Sequence, residues 1–153
     1  MTMNKNEYIL FEKAIRLIDN EFYIDSIEIL KKLFDESNDN EIKDDILFDI
    51  GLCYLKINDI DDAIKYFKKV ISEYPEGKIL NSLKRNEFGK ITDKSYYALI
   101  HCYLLKGNLN KANETLDNFD KKNYSYVIDE NSKKRFYKDL SKNLISEYEI
   151  RWI

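Results

Sequence analysis

The stretch from Asp44 to Gly77 contains two amphipathic segments joined by a short turn sequence. In each segment the apolar residues recur at three- and four-residue steps, which places them on one face of a helix. The turn is Asn58-Asp59, in which Asn tolerates a left-handed backbone and Asp can cap the next helix. The pattern predicts an antiparallel helix pair. Its apolar positions are Leu47, Ile50, Tyr54 and Leu55, followed by Ala63, Phe67, Val70 and Ile71.

Small residues and a proline complete this pattern. Gly51 and Ala63 lie where the two helices must approach closely, because a large side chain there would hold the axes apart. Pro75 lacks a donor N–H and ends the second helix. The stretch resembles the tetratricopeptide repeat, whose motif runs W-x2-L-G-x2-Y, then A-x3-F, then P, over about 34 residues.

The same unit recurs on both sides of residues 44–77. Residues 7–40 align through Leu10, Ala14 and Leu17, then Ser26, Leu30 and Leu33, although no proline closes this unit. Residues 93–126 align through Tyr96, Leu99, Ile100 and Tyr103, then Ala112, Leu116 and Phe119. The second and third units are separated by a surplus of about fifteen residues over one repeat, at 78–92. We interpret this insertion as a longer connection with one or two amphipathic turns.

The C-terminal part predicts one more helix, over about residues 130–150. Asp129-Glu130-Asn131-Ser132 is interpreted as its start, and one stripe is formed by Tyr137, Leu140, Leu144, Tyr148 and Trp152. The end of a repeat array exposes an apolar face that must be covered, so this helix is expected to cap the array. The expected fold is all-α, a right-handed α–α superhelix of about three repeats with a C-terminal capping helix.

Length and charge narrow the class of protein. With 153 residues and 44% hydrophobic content, the chain suits a single domain over residues 1–153 with a continuous core. The net charge of −3 argues against nucleic acid as a partner, which needs a clustered positive excess. The N-terminal residues lack the apolar core of a signal peptide, and no run is long enough to span a membrane. We therefore expect a cytoplasmic protein.

The sequence offers little for catalysis. There is no Gly-rich phosphate loop, and neither H-E-x-x-H nor C-x-x-C spacing occurs, so no cofactor or metal is predicted. The single histidine, His101, is adjacent to Cys102, but neighbours on a helix point about 100° apart and do not face each other. Cys53 and Cys102 occupy equivalent repeat positions and are interpreted as small core residues. The chain is predicted not to be an enzyme.

The resemblance implies a binding surface on the first helices of the repeats. In tetratricopeptide arrays these helices line a concave groove with an i, i+3, i+7, i+10 pattern. Some members clamp the terminal carboxylate of a peptide with Lys, Asn and Arg, but Phe11, Ile15 and Asp49 stand at the matching positions here. The expected groove is thus apolar and aromatic. Its predicted partner-binding residues are Tyr8, Phe11, Ile15, Asp45, Phe48, Leu52, Leu55, Lys94, Tyr97, His101 and Leu104.

Two functions fit such a groove. The first is a non-enzymatic adaptor, scaffold or chaperone-like module that holds a helical or extended apolar segment of a partner protein. The second is a structural, self-associating protein whose groove is filled by its own C-terminal helix or by the partner of a homodimer. The sequence leaves both open.

Overall fold

The computed structural model describes residues 4–80, 86–119 and 125–152. Residues 81–85 of the insertion, and 120–124 at the end of the third predicted repeat, lie outside that description. The described parts contain seven helices and three short strands. In chain order these are α1 (Lys5–Asp19), α2 (Tyr23–Glu36), α3 (Asn40–Lys56), α4 (Ile60–Glu73), β1 (Glu87–Phe88), α5 (Ile91–Leu105), α6 (Leu109–Asp117), β2 (Tyr126–Ile128), β3 (Lys134–Phe136) and α7 (Tyr137–Trp152).

Consecutive helices pack against each other along the chain, from α1 to α6. The all-α prediction is confirmed, and the helix pairs α1–α2, α3–α4 and α5–α6 correspond to the three predicted repeats. The superhelical path of the array stays a prediction. No helix in the described residues is long and apolar enough to cross a membrane.

Equivalent turns join the two helices of each pair. Glu21, Asn58 and Gly107 all have a left-handed backbone, with φ of 67°, 66° and 73°. In each turn the N–H of this residue and that of the next residue donate to two carbonyls of the preceding helix. This double hydrogen bond is the Schellman ending of a helix, which favours glycine or asparagine at the left-handed position. The three helix pairs therefore share one local geometry.

Small residues allow the helices of each pair to approach. Ser26, Ala63 and Ala112, at equivalent positions of α2, α4 and α6, are fully buried. The Ser26 hydroxyl donates to the carbonyl of Ala14 at 2.9 Å, which fixes α2 against α1. A Cβ on Gly51 would lie 2.8 Å from the ring of Phe67, so α3 contacts α4 through glycine. The predicted role of Gly51 and Ala63 agrees with these contacts.

Two apolar clusters form the core. One lies around Phe11, Leu30 and Ile46, and the other contains Phe67, Ile91 and Ile100. The side chains of Phe34, Tyr54 and Tyr66 pack against both clusters. The core is thus continuous from α1 to α7.

At its described residues, 78–80 and 86–90, the insertion differs from its interpretation as amphipathic turns. The N–H of Ile79 donates to the Gly89 carbonyl at 2.9 Å, and the N–H of Ile91 donates to the Gly77 carbonyl at 3.0 Å. The chain therefore leaves α4 and returns to α5 as two extended segments paired antiparallel. Phe88, which was expected in an amphipathic turn, lies in β1. This pairing supplies hydrogen-bond partners for the backbone N–H and C=O groups of a segment that is not part of a helix.

The three strands form one small antiparallel sheet in the order β1–β2–β3. Its aromatic residues stack across the strands: the ring centroids of Phe88 and Tyr126 are 5.1 Å apart, and those of Tyr126 and Phe136 are 5.6 Å apart. Such cross-strand aromatic contacts stabilise short strands. The sequence analysis did not predict this sheet.

The capping helix begins later than predicted. It was expected from about residue 130, but residues 129–133 form the turn between β2 and β3, and α7 begins at Tyr137. The Asp129 carboxylate accepts the N–H groups of Asn131 and Lys133 at 2.9 and 3.0 Å, and Ser132 has a φ of 62°. The Asp129 side chain therefore stabilises a turn instead of the start of a helix. Asp side chains accept hydrogen bonds from nearby backbone amides both in turns and at helix starts.

Candidate functional site

The predicted groove residues lie on α1, α3 and α5. Some of their side chains are buried and others are exposed. Phe11, Asp45, Phe48 and Lys94 are buried in the interior in this arrangement. The other seven residues are partly or largely exposed: Tyr8, Ile15, Leu52, Leu55, Tyr97, His101 and Leu104. Partner binding by these residues stays a prediction.

The insertion covers the face near the start of α3. The N–H of Leu80 lies 3.4 Å from an oxygen of the Asp45 carboxylate, and Leu80 packs against the N-terminal core cluster. Ile79, beside it, is buried. Asp45 was predicted as a polar contact of the groove. In the structure its carboxylate contacts the backbone of the insertion at Leu80. This cover is the reason that the beginning of the predicted groove is closed.

A largely buried ion pair closes the corresponding part of α5. The Lys94 ammonium lies 2.7 and 2.8 Å from the two carboxylate oxygens of Glu87 in β1, and 4.3 Å from the ring centroid of Phe48. The Tyr137 hydroxyl donates to Glu87 at 3.3 Å. Burial, together with the Glu87 charge, raises the pKa of Tyr137, so its hydroxyl stays a proton donor. Lys94 thus binds the sheet and the start of α7 to α5, rather than facing a partner.

Helix α7 lies along α5, beside the rest of the predicted groove. The rings of Tyr97 and Tyr137 are 5.8 Å apart, and burial, followed by the nearby Glu147 charge, raises the pKa of Tyr97. Ser141 and Ile145 are the buried residues that follow Tyr137 on the face of α7 turned to the core. The C-terminal helix therefore covers part of the third repeat.

An open cavity remains at the C-terminal end of α5, the first helix of the third repeat. It has a volume of about 430 Å³ and lies between the last turns of α5 and α7. Leu52 and Leu55, in the last turns of α3, do not line this cavity but are also partly exposed, and the charge of neighbouring Lys56 reaches His101. We define the distal groove as Leu52, Leu55, His101 and Leu104 together with Leu144 and Tyr148 of α7.

The distal groove is largely apolar and contains one imidazole ring, that of His101. Burial is the main cause that lowers the pKa of His101, and the positive charge of Lys56 lowers it further. The imidazole is therefore neutral at pH 7, able both to donate and to accept a hydrogen bond. Glu147 and Arg151 of α7 line the cavity and bring opposite charges to its border. Such a surface suits an apolar segment that carries a few polar groups.

Nucleophilic chemistry has little support in this arrangement. Cys53 and Cys102 are buried, and burial raises the pKa of Cys102 to about 12, so its thiol stays protonated at neutral pH. Within residues 4–80, 86–119 and 125–152, no three His, Cys, Asp or Glu side chains are arranged to hold a metal ion.

Sequence reasoning missed two groups of residues at this site. Glu87 lies in the insertion, where nothing in the local pattern indicates a partner for Lys94. Leu144 and Tyr148 were found as part of an apolar stripe, but the stripe alone did not show that they would line a cavity with α5. Only the packing of α7 against α5 brings them to the groove.

Comparison with known proteins agrees with the repeat geometry. No curated protein matches the chain. A family model described as tetratricopeptide repeat matches residues 45–77, which contain most of α3 and all of α4. This repeat indicates a protein–protein interaction module. The close approach at Gly51 and the family match agree, and we conclude that residues 45–77 of this all-α protein form a tetratricopeptide repeat.

Proposed function

We propose that the protein is a non-enzymatic interaction module, an adaptor or chaperone-like protein, that holds an apolar segment of a partner protein in the distal groove. The observation that carries this proposal is the cavity between α5 and α7, which lies on the face where tetratricopeptide arrays are expected to bind. The parts of that face around Asp45 on α3 and Lys94 on α5 are closed by the insertion and by the pair of Lys94 with Glu87. The bound segment is therefore short.

The occupant is expected to be an amphipathic helix or a short extended segment with one or two large apolar side chains. Leu52, Leu55 and Leu104 offer apolar contacts, and His101 offers one hydrogen bond. Large apolar side chains that enter a pocket supply most of the binding energy at such surfaces. A pocket of this size accepts a few side chains, not a folded domain.

The test is a comparison of matched charge variants. Leu55→Glu combined with Leu104→Glu places two carboxylates in the distal groove, whereas Ile9→Glu combined with Ile24→Glu adds the same charge at exposed positions elsewhere. We expect the groove variant alone to lose a specific protein captured from the native cell extract. Equal loss in both variants, with unchanged thermal unfolding, would contradict the proposal.

A self-associating protein is the second candidate, because α7 already covers part of the predicted face along α5. In that case the distal groove is buried between two copies of the chain. Light scattering would give the mass of a dimer for the natural chain and of a monomer for the Leu55→Glu/Leu104→Glu variant. A monomer at all concentrations would exclude this candidate.

A further inference from the structure

Four lysine side chains lie against aromatic rings on the face formed by α2, α4 and the adjoining residues of α3. The Lys31 ammonium of α2 is 5.3 Å from the ring centroid of Tyr54 and 6.0 Å from that of Tyr66. Lys65 of α4 lies on the same Tyr66 ring, at 6.0 Å. The rings of Tyr54 and Tyr66 are themselves stacked, with centroids 5.6 Å apart. One aromatic pair thus holds two ammonium groups.

A second pair of ammonium groups shares the ring of Phe34. Lys43 of α3 lies 4.9 Å from its centroid, and Lys69 of α4 lies 5.6 Å from it. A cation over an aromatic face is attracted by the ring quadrupole. We define the lysine–aromatic seam as Lys31, Lys43, Lys65 and Lys69 with Phe34, Tyr54 and Tyr66.

The positive charges of the seam are not neutralised by ion pairs. Among the described residues, none of its four ammonium groups lies within 4 Å of a carboxylate. Other lysines of the chain do make such pairs, for example Lys94 with Glu87 and Lys106 with Asp61. Asp62 is close enough to interact with Lys31 and Lys65 electrostatically, but it does not form an ion pair with them. The four ammonium groups of the seam therefore carry positive charge that no described carboxylate contacts directly, in a protein with a net charge of −3.

The seam is also positioned by the fold. The Tyr54 hydroxyl accepts a hydrogen bond from the Lys31 ammonium at 2.8 Å. The three aromatic residues pack against both core clusters, so their rings cannot turn freely away from the lysines. Ordered cations lose less conformational freedom when they bind an anion than flexible surface lysines do. The ammonium groups of the seam are thus preorganised to bind an anionic group.

We propose that the lysine–aromatic seam binds an acidic segment of a partner protein, a short run of Asp and Glu side chains. Lys31 and Lys65 share one ring, which keeps their ammonium groups within about 12 Å of each other. Carboxylates on one side of an extended segment are spaced by about 7 or 13 Å, for residues two or four apart. Each pair of lysines can therefore receive carboxylates from a single segment.

Nucleic acid fits the seam less well. Single-stranded nucleic acid binds by stacking its bases on aromatic faces. Here the ring faces are already occupied by lysines of the chain or by one another. A short acidic peptide needs only the four ammonium groups.

The test measures binding of a fluorescein-labelled peptide of about ten residues, rich in Glu and Asp, by fluorescence anisotropy at low salt. Lys31→Glu with Lys69→Glu reverses one charge on each ring system of the seam. The control, Lys111→Glu with Lys134→Glu, makes the same change in total charge at two lysines that each lie over a single ring, Tyr103 and Tyr126. We expect affinity for the peptide to fall at least tenfold in the seam variant and to change less than twofold in the control.

The result that would overturn the proposal is an equal loss in both variants, or no binding of the peptide by the natural chain. Stronger binding of a single-stranded oligonucleotide than of the peptide would also overturn it, because the seam would then recognise phosphates. If the seam variant fails to fold, as judged by circular dichroism, Lys31→Gln with Lys69→Gln replaces it, with an expected loss of severalfold. The groove variant Leu55→Glu/Leu104→Glu should bind the peptide normally, which separates this site from the distal groove.

Discussion

The contact between Gly51 and Phe67 makes a quantitative prediction about the central repeat. In Gly51→Ala, the new methyl group would lie 2.8, 3.0 and 3.1 Å from three carbons of the Phe67 ring. Optimal carbon–carbon contacts are about 3.5–4.0 Å, so the ring or the helix must move by about half an ångström or more. The ring is fully buried, and Phe48 lies on it at a centroid distance of 5.1 Å, so little space is available for that movement.

The magnitude follows from two opposing terms. Replacing glycine by alanine inside a helix favours the folded state by about 1 kcal/mol. Overpacking a well-packed core costs about 1–3 kcal/mol. We therefore expect Gly51→Ala to lower the free energy of unfolding by about 0–2 kcal/mol, and Gly51→Leu, whose larger side chain meets the same ring, to lower it by about 1–3 kcal/mol or more.

A double-mutant cycle in urea isolates the contact. Phe67→Leu alone removes ring atoms and leaves a cavity, whereas in the Gly51→Ala background the new methyl group occupies part of that space. The two changes should therefore be less harmful together than the sum of their separate effects, by at least about 0.5 kcal/mol. Strictly additive effects, or a Gly51→Leu protein as stable as the natural chain, would refute the close approach of α3 and α4.

Three other predictions concern buried groups. Burial, reinforced by the charge of Asp45, raises the pKa of Asp44 to about 8 from 3.8, so the folded protein keeps a proton that the unfolded chain loses. The contribution of this proton to the free energy of unfolding is present at low pH and is lost as the pH rises to 8, by up to about 1.4 kcal/mol per pH unit. Urea unfolding at several pH values should show this slope. In Asp44→Asn the slope should be flatter. Lys94→Met should destabilise the fold by up to about 3 kcal/mol, because it removes the ammonium that contacts both oxygens of the largely buried Glu87 carboxylate. Adding Glu87→Leu should recover part of the loss in chemical denaturation, and no recovery would contradict this account. The Cys102 thiol should react with a thiol reagent only after urea unfolds the protein, and rapid reaction of the native chain would show that it is not buried.

The repeats could be predicted because their signals are local. The stripe containing Leu47 and Ile50, the turn residue Asn58 and the small residue Ala63 all lie within one helix pair, and each acts on neighbours a few residues away. The left-handed turns at Asn58 and Gly107 follow from the same local chemistry. The order of the helices therefore agreed with the sequence analysis.

The features that the sequence did not reveal depend on distant partners. The strand at Phe88 exists because it pairs with Tyr126, and the turn at Asp129 exists because β3 follows it. These pairings join parts of the chain that local periodicity cannot relate. The predicted start of the capping helix at residue 130 was wrong for this reason.

The candidate site shows the same limit. Lys94 fits the spacing of a groove residue, but its environment is set by Glu87 and Tyr137, which arrive from other elements. The lysine–aromatic seam is a further example, because its lysines come from α2, α3 and α4. No run in the sequence clusters them. Spacing on one helix predicts which way a residue faces, and it does not predict what covers that face.

The most direct test of the proposed function is photo-crosslinking from the distal groove in native cells. A photoreactive amino acid replaces Leu104, and the control carries it at Ile24, which is exposed on α2. We predict a covalent adduct with one protein from position 104 that is absent from position 24, and a crosslinked peptide rich in large apolar side chains. The same adducts from both positions, or an adduct from position 104 only with a second copy of the chain, would contradict the proposal that the distal groove holds a partner segment.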